Sequence, residues 1–200
     1  MGVLVSGRGT NLRALLQAAA EPQYPARIAA VASNRPRCQG LTLAAASGVP
    51  VRCFPLREFA GDSQRRDREM ALWFLQQQCR ILVLAGYDRI LTEPLLTAFP
   101  GRILNLHNSL LPAFAGTMNA VGLALAAGVK VTGCTVHLVD PDTVDGGPIL
   151  LQAAVEVRDD DDEESLWQRI HEQEWRILPE AVRLLSLGRV HVEGHRAMIR

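Results

Sequence analysis

Little in these 200 residues is in excess, and the shortages narrow the field. Lysine plus arginine and aspartate plus glutamate number 21 each, so the formal net charge is zero. With neither a basic excess nor a basic stripe, nucleic acid is not an expected partner. Cysteine is scarce: Cys38, Cys53, Cys79 and Cys134 share no Cys-x-x-Cys spacing, and three of them lie in or beside apolar stretches. Reduced core thiols in a cytoplasmic protein are the expectation, not a disulfide framework. No His/Cys cluster offers metal-ligand spacing, so no metal is expected. No apolar run reaches the length of a membrane helix, and no signal peptide precedes the first strand. Aromatic residues are 5% of the chain, against 48% hydrophobic and 21% charged, a globular balance. A chain of this size buries roughly 70% of its unfolded surface, enough for a single domain over the whole length.

What is present alternates between strand and helix patterns. Val3 to Val5 is a strand that begins at the very first residues, which leaves room for a start upstream of Met1. The turn Ser6-Gly7-Arg8-Gly9-Thr10-Asn11 follows, then a helix with Leu12, Leu15, Leu16 and Ala19 on one face, which Thr10 or Asn11 can cap. Strand, glycine turn and helix N-terminus make an anion site, because free backbone N–H groups and the helix dipole converge. The third glycine of a dinucleotide fingerprint and the lysine of a P-loop are both missing, so one phosphate group is expected.

Residues 27–32 and 49–54 read as the second and third strands, with helices over 40–47 and 62–78. Ile81 to Ala85 is apolar on both faces and therefore a central parallel strand. A short helix capped by Thr92 leads to Ile103-Leu104-Asn105-Leu106-His107-Asn108-Ser109-Leu110-Leu111-Pro112. Helix 120–127, strand 131–139 with Thr135 and His137 on one face, an acidic loop over 140–148 and a last, antiparallel strand 149–157 follow. Six consecutive carboxylates, Asp159 to Glu164, lead into a closing helix to about Leu187 that Pro179 should kink. The fold class is α/β: a three-layer open sheet, mostly parallel with an antiparallel last strand.

The stretch around Asn105 organises the chemistry. Strand side chains alternate, so Asn105 and His107 point the same way at a strand's carboxyl end, where open α/β sheets bind ligands. Asp145, held beside Gly146-Gly147-Pro148, can favour a charged His107 and fix its ring, while Asn105 can donate to a developing oxyanion. No nucleophile elbow surrounds Ser109. The set suits a carbonyl attacked by a nucleophile that a substrate supplies.

SGRGTNL, VLAGYDRIL, LNLHNSLLP, the DGGP loop with ILLQA, and RIHEQEWRILP together resemble the phosphoribosylglycinamide formyltransferase family, folate-dependent enzymes of purine synthesis. The likeness runs nearly the whole chain in the family's order and implies a Rossmann-like, seven-stranded formyltransferase fold. It implies that Asn105, His107 and Asp145 are catalytic, with 10-formyltetrahydrofolate as co-substrate and no metal. Gly9, Thr10 and Asn11 would hold the phosphate of glycinamide ribonucleotide, and Glu174 its ribose. Arg89, Ile90, Leu91, Asp140, Pro141, Asp142, Thr143 and Val144 would line the folate pocket, with Arg65 at the folate tail. A cytoplasmic monomer or homodimer, with neither nucleic acid nor membrane as partner, is implied.

Three departures stand out. Asn108 replaces a usual proline, Asp88 a usually apolar residue, and Thr117 to Ala120 a segment that often carries histidine. Two other readings fit the residues: a hydrolase that deformylates 10-formyltetrahydrofolate, expected to carry an extra N-terminal domain, and an impaired phosphate- or folate-binding module. A tRNA formyltransferase is expected to carry a further C-terminal domain.

Overall fold

The computed structural model describes all 200 residues. They form two compact units, Met1–Leu104 and Asn105–Arg200. In the first, strand β1 (Gly2–Val5) is buried at every position. Burial on both faces marks a parallel strand inside a sheet. β1 pairs in parallel with β2 (Ala30–Ser33) and with β4 (Leu82–Leu84), and β3 (Val51–Cys53) adds in parallel beside β2. Helices α1 (Thr10–Ala19), α2 (Gln39–Ala46), α3 (Ser63–Gln76) and α4 (Glu93–Ala98) connect the strands, with a 3-10 turn at Leu56–Phe59. Gly2 is glycine for a packing reason: a Cβ there would lie 2.6 Å from the fully buried Phe74 ring.

Both expected caps of α1 are corrected. Gly9 occupies the cap position at φ 79, without a side-chain hydrogen bond, and Thr10 is already helical. A Cβ on Gly9 would stand 2.8 Å from Gly40 Cα, so left-handed backbone and close approach both call for glycine. Thr92 holds the N-cap position of α4 as expected, but its Oγ1 donates to Asp67 Oδ2 at 2.8 Å and makes no capping bond to the helix.

Strand β5 (Ile103–His107) spans the division between the units. The second unit continues with α5 (Ala120–Ala126), β6 (Val131–Leu138), β7 (Ile149–Glu156) and α6 (Glu163–Ser186). β6 and β7 are antiparallel, as the short acidic loop between them requires. The ladder pairs Val136 with Leu151 and His137 with Ile149, so Leu150 is skipped in a bulge. Asp162 caps α6 by accepting from Ser165 N at 2.8 Å, which gives the acidic run the helix-entry role expected of it. α6 runs unbroken through Pro179.

The closing helix expected from the sequence is not the last element of the fold. Two further strands, β8 (Val190–Glu193) and β9 (Arg196–Ile199), form an antiparallel hairpin, with β9 parallel to β7. That makes nine strands rather than seven. Gly194 at φ 59 makes the hairpin's turn, and the alternation Val190, His191, Val192, Glu193 was its signal. No helix is long and apolar enough to cross a membrane.

Candidate active site

The structure brings Asn105, His107 and Asp145 together in the second unit, with His137 as a fourth member. Asn105 Nδ2 lies 3.2 Å from Asp145 Oδ1 and 3.1 Å from His137 Nε2. His107 Nδ1 faces Asp145 Oδ2 at 3.3 Å, and His107 Nε2 lies 2.9 Å from the Phe114 carbonyl oxygen. The Gly116 N–H donates to Asp145 Oδ2 at 2.9 Å. His107 and His137 are buried at 5% and 2% exposure, so the contacts of their rings are partly shielded from bulk water, whereas the Gly116–Asp145 bond is exposed.

Proton positions follow from donor and acceptor roles. His137 Nδ1 lies 2.9 Å from the Leu138 carbonyl oxygen, an acceptor only, so that nitrogen carries hydrogen. Its Nε2 faces both the Asn105 amide nitrogen at 3.1 Å and Asp145 Oδ1 at 3.5 Å. The Asn105 amide donates an N–H to Asp145 Oδ1, so its oxygen is turned away from the carboxylate. Both nitrogens of His107 likewise face oxygen acceptors, Phe114 O and Asp145 Oδ2. Burial pushes the Asp145 carboxyl up, but contacts with His137, the Gly116 N–H and the charge of His107 outweigh it and hold it below the ordinary carboxylate value. Asp145 is thus an anion facing the His107 ring.

Local folding explains these placements. β5 ends at His107, and its side-chain alternation sets Asn105 and His107 on one face. The turn after it is fixed by Ser109, whose Oγ donates to Ala113 O at 2.5 Å, and by Thr135 Oγ1, which donates to Ser109 O at 2.7 Å and accepts from Leu111 N at 3.0 Å. Asp145 itself has φ 55, a left-handed conformation unusual outside glycine. Gly147 permits it company: a Cβ there would stand 2.0 Å from Leu138 O. His137 sits at the β6–β7 bulge, a device that re-aims side chains.

Strand periodicity puts His137 on β6 without assigning it a role; its position two residues beyond Thr135, at a strand's carboxyl end like His107, is the available signal. Phe114 O and Gly116 N are main-chain groups that residue types do not announce.

The other expected site residues fall as follows. In the first unit, Gly9, Thr10 and Asn11 form the turn into α1, with Gly9 and Asn11 buried. Arg89 is exposed with Nε 3.8 Å from Asp88 Oδ1, Ile90 is 73% exposed, and Leu91 is buried. Arg65 lies on the surface of α3, with Nε 3.9 Å from Glu69 Oε1. In the second unit, Asp140 Oδ1 accepts from Asp142 N at 2.8 Å and Thr143 N at 3.0 Å, a turn that leaves Pro141, Asp142, Thr143 and Val144 exposed. Glu174 is buried on α6, its Oε2 2.7 Å from His171 Nδ1. No group of three or more His, Cys, Asp or Glu is placed to hold a metal ion.

Comparison with known proteins joins this geometry. A family model described as formyl transferase matches residues 1–182. Phosphoribosylglycinamide formyltransferase of Mycobacterium tuberculosis is 47% identical over 198 residues, 98% of this chain and 88% of that protein. Trifunctional purine biosynthetic protein adenosine-3 of Gallus gallus is 41% identical over 192 residues, 96% of this chain, and the chain spans 19% of that protein's length. The crystal structure of glycinamide ribonucleotide transformylase 1 from Symbiobacterium toebii matches with TM-score 0.95 at 46% identity, covering 99% of this chain and 92% of that one. An α/β chain matched by the family's model over most of its length, and by relatives over nearly all of it, belongs to the formyl transferase family.

Proposed function

We propose that the chain transfers the formyl group of 10-formyltetrahydrofolate to the amine of glycinamide ribonucleotide, a step of purine synthesis. The observation that carries this reading is the cluster of Asn105, His107 and Asp145, in which Asp145 lies within 3.3 Å of each of the other two. It offers two N–H donors and one carboxylate, and no nucleophile of its own. The amine nitrogen attacks the formyl carbon, the new C–N bond forms, and the carbonyl electron pair moves onto oxygen. The Phe114 carbonyl marks, on His107 Nε2, the place of an oxygen acceptor. The oxyanion takes that place, and Asn105 assists once the amide turns toward it. Asp145 holds His107 charged and accepts the amine's proton, directly or through water. The proton passes to the leaving folate nitrogen as its C–N bond breaks, giving formylated amide and tetrahydrofolate.

For binding, the same proposal assigns the phosphate to Gly9, Thr10 and Asn11 and the ribose to Glu174. It assigns folate contacts to Arg65, Arg89, Ile90, Leu91 and residues 140–144. Residues 1–200 act as one formyltransferase domain, cytoplasmic, as a monomer or homodimer. Similarity to relatives named for this reaction supports the choice of acceptor. The test is formyl loss from 10-formyltetrahydrofolate by purified protein, with and without glycinamide ribonucleotide. Loss that requires the ribonucleotide and matches formylated product one for one is expected. Loss indifferent to it makes the protein a deformylase, and no loss in either case makes it a binding module.

A further inference from the structure

Beyond the carboxyl ends of β1, β2 and β3, the first unit opens a cleft of about 660 Å³. Open α/β sheets gather ligands at that edge, and the volume suits a small organic molecule rather than a bare ion. Arg8, Arg35, Arg37 and Arg57 line it, with Cys38 and Gln39 at the start of α2, and no aspartate or glutamate lines it. In a chain whose charges balance at 21 of each sign, this is a local segregation of one sign. Of the four arginines, Arg35 alone is ion-paired, to Asp88.

Guanidinium groups gathered on one cleft repel one another until an anion lies among them. Their planar forks match pairs of phosphate oxygens, which a single ammonium cannot do. α2 adds its positive end: its first turn holds no acid, and no side chain caps it. The cleft takes Ser6, Gly7 and Arg8 from the first half of the turn after β1 but not Gly9, Thr10 or Asn11, the residues assigned to the substrate phosphate. The two are braced together, however. Gly7 O accepts from Gly40 N at 3.1 Å and from Cys38 Sγ at 3.2 Å.

We propose that the arginine cleft is a second anion site that takes a small organic polyphosphate. The test is calorimetric titration of the full chain with pyrophosphate as probe, comparing wild type with the double variant Arg37→Gln, Arg57→Gln. Both side chains are exposed, and circular dichroism checks that the variant folds. Binding that weakens about tenfold or more in the variant is expected, since two charge-assisted contacts are lost. The charge-preserving pair Arg37→Lys, Arg57→Lys should fall between the two, because charge remains and the fork is gone. Equal binding in wild type and the glutamine variant overturns the proposal, because the anion then sits elsewhere, the Gly9 to Asn11 turn included. No binding to wild type overturns it as well. Citrate binding as tightly as pyrophosphate would overturn the phosphate assignment. None of these outcomes depends on which acceptor receives the formyl group.

Discussion

Asp145 and His107 meet oxygen to ring nitrogen at 3.3 Å, while the other ring nitrogen of His107 is taken, at 2.9 Å, by the carbonyl of Phe114. The ring is therefore held between a formal anion and a main-chain dipole, both acceptors. Phe114 keeps its place at φ 56, a left-handed conformation that costs a non-glycine residue on the order of 1 kcal/mol. An oxyanion arriving at His107 Nε2 replaces a neutral acceptor with a charged one, and the stronger hydrogen bond favours the exchange.

Removing the ring should remove that stabilisation. His107→Ala is expected to lower turnover by roughly two to three orders of magnitude, as loss of one oxyanion donor typically does. The fold should survive, because Ser109 and Thr135 still hold the turn after β5 when the His107–Phe114 contact is lost. Steady-state rates beside circular dichroism decide it, and near-normal turnover in a folded variant would remove His107 from the mechanism.

Asp145→Asn tests the partner. The carboxyl is held below its ordinary value of 3.8, so in the wild type it stays ionised throughout the range above that pH. An acid limb in the rate profile above about pH 5 therefore belongs to another group. In the variant the carboxylate facing His107 Nδ1 is gone, and both turnover and the shape of the pH–rate profile should change. A pH–rate profile of unchanged shape would separate Asp145 from His107.

How far the sequence anticipates this site depends on the kind of atom involved. Asn105 and His107 could be paired from strand alternation alone, since parity on β5 decides which side chains share a face. Asp145 was legible as a carboxylate beside Gly146 and Gly147, but its reach to His107 depends on a left-handed backbone that no residue type announces. His137 was passed over because its role comes from the β6–β7 bulge, and a skipped residue leaves no periodic signature. Phe114 and Gly116 act through main-chain groups, which every residue carries. Central strands such as β1 and β4 were plain from continuous apolar runs, whereas the β8–β9 hairpin, half exposed and four residues a side, gave only weak alternation. Asp88 was legible as a departure, yet its partners were not.

Gly133→Ala should show how tightly β6 and β7 are sealed. A Cβ at Gly133 would stand 1.9 Å from Ala153 O and 3.0 Å from Leu110 Cδ2, so the strands must part to admit it. A loss of about 2–4 kcal/mol in urea unfolding is expected, the range of severe overpacking. Gly7→Ala, with nothing within 4 Å of the new Cβ, is the control and should stay within about 0.5 kcal/mol. Equal stabilities for the two variants would mean that β6 and β7 can open at little cost.

Asp88 ties together the turns after β1, β2 and β4, and this binding is pH-dependent. Its Oδ1 accepts from Asn34 Nδ2 at 2.8 Å and lies 3.0 Å from Ser6 Oγ, its own N–H donates to Ser6 Oγ at 3.0 Å, and Arg35 pairs with its Oδ2. Burial raises the carboxyl, but Asn34, Ser6 and Arg35 overcome it and leave it below 3.8. A depressed carboxylate contributes stability that is complete above the unfolded value and disappears as pH falls through the folded one. Asp88→Asn should therefore unfold at lower urea than the wild type at neutral pH. The gap should persist down to about pH 5, shrink near 3.8 and close below the folded value. A gap that does not change with pH would mean that the amide loses shape complementarity and that the charge of Asp88 contributes nothing. Restoration of neutral-pH stability by Asp88→Glu would show instead that the carboxylate matters more than its reach.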